Sequence, residues 1–364
     1  LSVAEYKPSK DQRQAINRWN RYVLGGDYIK EAARKYPKSK EDKARERNGF
    51  DIIHAVHEAE YKSLDVPPEP AHKLEVTLES DDFTDEKYKL FQDYQKHVHD
   101  DDSSTPSGFK RFLCSSPLSQ RTENAGTTSK RLGSYHQCYR LDGRLIAMAV
   151  LDLLPHCVSG VYFIYHQDFE MWSFGKLSAV REAALALQGG YEHYYMGYYI
   201  HSCAKMRYKG DYKPQYILDL ENHQWDPLDE DMRSLLDRQR YASRSKHLAP
   251  TAGGVEDDDE QSEAAEGNTY RTTVEAAEYY ENGGSVFDLN VPGVMTVDQV
   301  RQHVKIDDMR IKIRPDITVP AKYLRGWEES DLAEGGSLKG IIAEYAACVG
   351  AEVANEAVVQ FGSG

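Results

Sequence analysis

The sequence predicts an α+β fold, a largely antiparallel sheet with helices packed against it. Three observations carry that expectation. From residue 72 onward the patterned segments run strand, helix, strand, hairpin, strand, helix, strand. Asp142-Gly143 stands between "GSYHQCYRL" and "RLIAMAVLDLLP", two runs suited to a two-residue hairpin, whose turn needs positive φ at both central positions. "LSAVREAALALQGG" has helical character and closes on paired glycines, a common helix stop. With 364 residues, 40% hydrophobic and 11% aromatic, the chain has material for a real core.

The elements follow in order. "KPSKDQRQAINRWNRYVLG" reads as a helix that Pro8 and Ser9 open and Gly25 ends, with Ile16, Trp19 and Val23 on one face. Its basic residues suit either a solvated surface or an RNA backbone. Residues 27–70 read as a charged, variable connection with one helix near "FDIIHAVHEAEYKSL". "HKLEVTLES" alternates as a half-buried strand. In "TDEKYKLFQDYQKHVHD", Thr84 is the expected N-cap and the acids Asp85 and Glu86 suit the first turn. "DDSSTPSG" reads as a loop leading into "FKRFLCSSPL", and "GVYFIYHQ" as a strand. Residues 247–284 are acidic and low in complexity, so a linker is expected there. "MRIKIRP" then reads as a strand and "LKGIIAEYAACVGAEVANEAVVQF" as one closing helix. The expected domains are 1–70, a basic helix and its connection; 71–246, the core; 247–284, the linker; and 285–364, a C-terminal extension.

Net charge is −14, but unevenly spread. Residues 107–213 hold 13 Lys/Arg against 8 Asp/Glu, whereas "EDDDEQSEAAEG" holds seven acids and no base. A polyanion could therefore bind the middle of the chain only. Five scattered cysteines without a CxxC pair point to reduced thiols rather than a disulfide framework or a metal site. No apolar run approaches the roughly 18 residues of a membrane span. No Walker loop, GxSxG or HExxH occurs. A start at Leu1 suggests a fragment.

"YYMGYYIHSCAKMRYKGDY", residues 194–212, places six tyrosines beside three cations. Alternation predicts a strand buried on both faces, with Lys205, Arg207 and Lys209 on one side of an extended chain. Such a row suits either a solvated edge or an anion site.

The order of four strings carries a resemblance: "YKPSKDQRQAINRWNRYV", "GFKRFLCSSPL", "GSYHQCYRLDGRLIAMAVLDLLPHCVSGVYFIYHQDFEMWSFGKLSAVRE" and "YYMGYYIHSCAKMRYKGDYKP". Together, and continued by "SVFDLNVPGVMT", they resemble the arginyl-tRNA–protein transferase family of eukaryotes. The resemblance implies an acetyltransferase-like, GNAT-type fold. It also implies transfer of arginine from arginyl-tRNA, the co-substrate, to the α-amine of proteins beginning with Asp, Glu or oxidised Cys. Such tagging leads to ubiquitin-dependent degradation through the N-degron pathway, in the cytoplasm and also the nucleus. Family members carry a cysteine-rich region before the "KPSK" helix that binds a metal or iron–sulfur cluster; this sequence starts at that helix, so no cofactor is expected in it. Two alternatives stand beside this: a non-catalytic paralogue that binds tRNA or N-termini, and an acyl-CoA N-acyltransferase of the same fold, against which the missing glycine-rich pyrophosphate loop counts.

The implied reaction sets four tasks. The acidic N-terminus needs a cation, and the planar fork of Arg207 suits a carboxylate, with Lys205 and Lys209 as helpers. The proton relay falls to Tyr198 or to Asp152, a lone carboxylate in an apolar strand. The aminoacyl-adenosine end needs an anion-binding helix start, which "SFGKLSAVRE" offers through Ser173, Gly175 and Lys176, with Lys10 and Arg13 as further tRNA contacts. The arginine side chain needs an anion, and Asp168, Glu170 and Glu182 are the candidates. Stacking on the RNA end falls to a pool of Tyr135, Tyr139, Tyr162 and Tyr165.

Overall fold

The computed structural model describes residues 1–41, 44, 49–125, 128–239, 241–248, 284–289, 291–314 and 316–361. The expected acidic linker lies almost wholly outside them. Contacts divide the chain into two units, Leu1–Ile217 with Pro227–Tyr241, and Leu218–Asp226 with Ala242–Gly364.

In the first unit, helix α1 (Lys10–Leu24) forms as its sequence demands. The Ser9 hydroxyl accepts the Gln12 N–H and the Gln12 side chain accepts the Ser9 N–H, a reciprocal cap. Ile16, Trp19 and Val23 are buried along one face. Among the described residues the connection holds more helix than the one expected, including α2 (Gly26–Lys35) and α3 (Ile52–His57). Only Tyr28 of α2 is buried, so its apolar pattern is thin. Strand β1 (Leu74–Ser80) and helix α4 (Asp85–His99) follow, with Thr84 accepting the Lys87 N–H as its cap.

One expectation fails next. "STPSGFKRFL" is not a loop entering a strand but helix α5 (Pro106–Leu113): Thr105 caps it and Pro106 presets its first turn. Phe109 and Leu113, four apart, bury the inner face. The polar stretch after it contributes strand β2 (Arg121–Ala125), paired with the start of β3 (Thr128–Leu141). Strand β3 pairs with β4 (Arg144–Leu153) through the expected turn, with Asp142 at φ 53° and Gly143 at φ 82°. Strand β5 (Cys157–Tyr165), helix α6 (Phe174–Gln188) and strand β6 (His193–Tyr195) complete the sheet.

The sheet order is β1-β3-β4-β5-β6, with β2 off β3; all pairs are antiparallel except β5–β6. The α+β expectation is met. Ala147, Ala149, Leu151 and Leu153 of β4 face a core shared with α1 and α6, whereas Met148 and Val150 face Phe91, Phe109 and Leu113 of α4 and α5. Helix α6 is buried on most sides, which explains its run of small apolar residues.

After Tyr195 the expected strand does not continue. Gly197, at φ 75°, turns the chain, and helix α7 (Ala204–Arg207) and a 3₁₀ turn (Tyr208–Asp211) follow. Lys205, Arg207 and Lys209 therefore do not share one side of an extended chain. Helix α8 (Glu230–Arg238) closes the unit, capped by Asp229.

The second unit has its own core around Trp327, whose indole N–H donates to Asp307 at 2.7 Å. It contains α9 (Val297–His303), β7 (Arg310–Arg314) and β8 (Ile317–Pro320). The single closing helix is in fact α10 (Leu338–Val349) and α11 (Ala351–Glu356), broken at Gly350 with φ 83°, then β9 (Val358–Gln360) parallel to β7. No described helix is long and apolar enough to cross a membrane.

Candidate functional site

Strands β5 and β6 stay paired for three rungs, Cys157 with His193, Val158 with Tyr194 and Ser159 with Tyr195. They then part, and two local features drive them apart. Gly197 diverts the chain after β6. In β5, Gly160 opposes Leu151 and Tyr162 opposes Val150, so Val161 bulges out and stands 47% exposed.

Two glycines flank the parting. A Cβ on Gly197 would lie 3.7 Å from the Gly160 carbonyl oxygen and 3.7 Å from Lys209 Nζ. A Cβ on Gly160 would lie 3.1 Å from Glu182 Oε2 and 3.3 Å from the Tyr194 hydroxyl. The fork is thus lined by bare backbone, with an ammonium on one side and a carboxyl on the other. Glycines at such a place let a ligand approach the main chain closely.

Glu182 reaches the fork from α6 and is only 3% exposed. Tyr194 donates its hydroxyl to Oε2 at 2.5 Å, and the Ser178 hydroxyl, which donates to the Gly175 carbonyl at 3.2 Å, lies close by. Burial pushes the carboxyl up, the two hydroxyls pull it partly back, and it stands at about 7. The neighbouring Arg181 is engaged elsewhere, with Glu60 and the Val56 carbonyl. Tyr212 is fully buried, tilted against Tyr6 and edge-on to Tyr208; its hydroxyl finds no partner among the described residues.

Opposite, side chains clamp residues 196–203. Lys209 Nζ donates to the Tyr198 carbonyl at 2.8 Å, and burial pushes its ammonium down. Arg207 Nε donates to the His201 carbonyl at 2.8 Å from an exposed position. His201 bridges Tyr199 at 2.7 Å and Asp237 of α8 at 2.8 Å. Tyr198 itself is 87% exposed, on the loop so held. For Lys205 the structure gives only its place in α7.

The other expected residues fall into separate groups. Asp152 lies opposite Ser134 and Ser159 and bonds Ser134; burial raises its pKa. The pleat sets it on the α4–α5 face, across the sheet from Glu182. Ser173 adopts a left-handed conformation at the start of α6 without capping it by its side chain. A Cβ on Gly175 would meet nothing within 4 Å, and Lys176 bonds Asp11 of α1. That contact joins the starts of α1 and α6, so Lys10, Arg13, Ser173, Gly175 and Lys176 form one neighbourhood. Arg13 lies over the Phe50 ring at 5.8 Å. This neighbourhood is nearly two helical turns, about 10 Å along α6, from Glu182.

Asp168 pairs with Arg144 at 3.1 Å and Glu170 with His97 at 3.4 Å, both from an exposed 3₁₀ turn (Gln167–Trp172). The three candidate anions therefore do not form one box. Of the tyrosine pool, Tyr135 and Tyr139 are core, while Tyr162 and Tyr165 are half-buried against Tyr94. Tyr194, Gly160, Gly197 and Tyr212 were not singled out from sequence. A lone glycine inside the run "CVSGVYFIY" was the available signal, since it marks a bulge or a close approach.

No group of three or more His, Cys, Asp or Glu among the described residues is placed to hold a metal. Burial pushes the Cys138 and Cys157 thiols up, to about 12 and 11, away from the thiolate form a metal needs. The chain's cysteines do not fit a metal or iron–sulfur cluster.

Residues 86–219, which contain the whole fork, match the family model described as arginine-tRNA-protein transferase, C terminus. Through that stretch the chain is similar to the arginine-tRNA–protein transferases. Arginyl-tRNA–protein transferase 1 of Arabidopsis thaliana is 37% identical over 207 residues, 54% of this chain and 32% of that protein. The Saccharomyces cerevisiae transferase is 40% identical over 162 residues, 40% of this chain and 32% of that protein. An aspartate/glutamate leucyltransferase of Pseudomonas fluorescens is 35% identical over 147 residues, 39% of this chain and 55% of that protein. The chain spans about a third of the length of the arginyl transferases it matches.

Proposed function

We propose that the chain transfers arginine from arginyl-tRNA to the α-amine of proteins whose first residue is Asp, Glu or oxidised Cys. The observation that carries this is the fork: bare backbone between an ammonium and a carboxyl, inside the segment shared with the transferases. The sheet is read as the acetyltransferase-like, GNAT-type core. Tagged proteins would enter N-degron, ubiquitin-dependent degradation in the cytoplasm and nucleus.

The chemistry asks mainly for positioning. An aminoacyl ester is already activated, and an N-terminal amine with a pKa of about 7.7–8.0 is partly neutral near pH 7. Holding the two in attack geometry supplies roughly 7–11 kcal/mol. In this reading the start of α6, with Lys176, Lys10 and Arg13, holds the tRNA end. Arg207 and Lys209 face the incoming acidic residue across the loop they clamp, and Lys205 stays a candidate helper. The leucyltransferase relative, whose name specifies aspartate and glutamate, supports an acidic acceptor.

Radiolabelled arginyl-tRNA and an Asp-start peptide test the proposal, with an Ala-start peptide as control. Label on the Asp peptide alone is expected. Binding of tRNA or N-termini without label would support a second reading, binding without turnover. Consumption of acetyl-CoA with arginyl-tRNA ignored would instead favour an N-acyltransferase.

A further inference from the structure

We propose that Glu182 is the base that takes the proton from the attacking α-amine, reached through the side-chain-free gap at Gly160 and oriented by Tyr194. This rests on the arginyl-transfer reading above. It assigns Glu182 to proton transfer instead of to the arginine side chain.

The geometry argues for it. A Cβ at residue 160 would crowd Oε2 at 3.1 Å, so the glycine leaves room beside that oxygen on the side of the fork. Oε2 accepts the Tyr194 hydroxyl, which fixes the carboxylate plane and leaves the oxygen's second lone pair for another proton donor. The groups around it are mostly neutral hydroxyls. Ser178 comes from α6 itself, Tyr194 from β6, Tyr139 from β3, and Tyr208 and Tyr212 from the 3₁₀ turn and beyond. Of the charged groups nearby, Arg181 is bound to Glu60, which also bonds His57 of α3, and Lys209 is bound to the Tyr198 carbonyl. Asp211 lies in the 3₁₀ turn.

A carboxyl in such surroundings costs the fold stability unless it is paired with a cation, and this one is paired with hydroxyls. A position near 7 is what a general base at neutral pH requires. The step balances. The amine lone pair attacks the ester carbonyl carbon and the C–N bond forms. Its N–H proton passes to Oε2. The C–O bond to the ribose then breaks, and the proton passes on to the ribose oxygen, leaving a free tRNA hydroxyl, the new amide and an ionised Glu182.

The test is kcat against pH for the unsubstituted chain, Glu182→Gln and Tyr194→Phe, using arginyl-tRNA and an Asp-start peptide. Thermal melts and tRNA binding are measured in parallel. Glu182→Gln is expected to lower kcat roughly 10²- to 10⁴-fold and to erase the rate limb near pH 7, with tRNA binding unchanged. Tyr194→Phe removes a hydrogen bond that holds the carboxyl down, so its limb moves to higher pH even if the Gln variant fails to fold. A limb at the same pH in Tyr194→Phe, or a Gln variant with unsubstituted rate and profile, overturns the assignment alone. Absence of arginyl transfer by the unsubstituted chain overturns this and the function reading together.

Discussion

A carboxyl that must ionise among tyrosine hydroxyls works against the fold as pH rises. Glu182 sits at about 7 in the folded chain against 4.5 in a free chain, so its contribution is fully present below 4.5 and lost as pH rises through 7. Glu182→Gln is therefore expected to raise the melting temperature at pH 8 and to leave it nearly unchanged at pH 4.5. Equal shifts at both pH values contradict a titrating carboxyl. Across the fork, Arg207 spends Nε on the His201 carbonyl, which aims the rest of its guanidinium outward from an exposed site. Arg207→Ala is expected to abolish transfer to Asp-start peptides while sparing tRNA binding. Unchanged transfer kinetics would remove Arg207 from acceptor recognition.

At the scale of elements, glycines separate structural from functional demands. Gly133 bends β3 at φ 118°, and a Cβ there would stand 2.6 Å from Gln120 Cα, a backbone atom that cannot yield. Gly133→Ala is expected to destabilise the chain by more than about 1 kcal/mol in a denaturant titration. Gly175 is the opposite case, a first-turn helical glycine with open space around it. Gly175→Ala is expected to stabilise α6 by about 0.5–1 kcal/mol. A simultaneous loss of arginyl-tRNA affinity would show that a ligand approaches there; undiminished affinity would argue against that role for the start of α6.

For the whole molecule, acid stability depends on opposed groups. Burial pushes the Glu60 carboxyl up, but His57 and Arg181 outweigh it and hold it at about 2. Bonds from Arg140 and Thr77 do the same for Glu79. Both contributions are present above 4.5 and are lost as pH falls towards 2. Burial brings His136 down to about 4, so its contribution fades as pH falls from 6.5. Over much of that window Glu182 gains what His136 loses. Thermal melts should therefore be nearly level from about pH 6.5 to 4.5 and fall steeply below it. In Glu182→Gln the fall should begin near 6.5; a variant as level as the unsubstituted chain would refute the opposition.

Local patterns determined much of the protein by themselves. The cap at Ser9, the Asp142-Gly143 turn, the Thr84 helix and the glycine-ended α6 each depend on residues a few positions apart, and each formed as expected. So did the α+β class, because alternating and helical apolar faces leave few ways to share a core. Alternation misled where cations supplied it: Lys205, Arg207 and Lys209 look like a strand edge, yet Gly197 turns the chain and backbone carbonyls capture Arg207 and Lys209. Tertiary structure alone decided the fork. Gly160, Glu182, Tyr194 and Lys209 come from a bulged strand, a crossover helix, a parallel strand and a 3₁₀ turn. No spacing in a sequence encodes where two parallel strands part, because that depends on how the helix between them packs back onto the sheet.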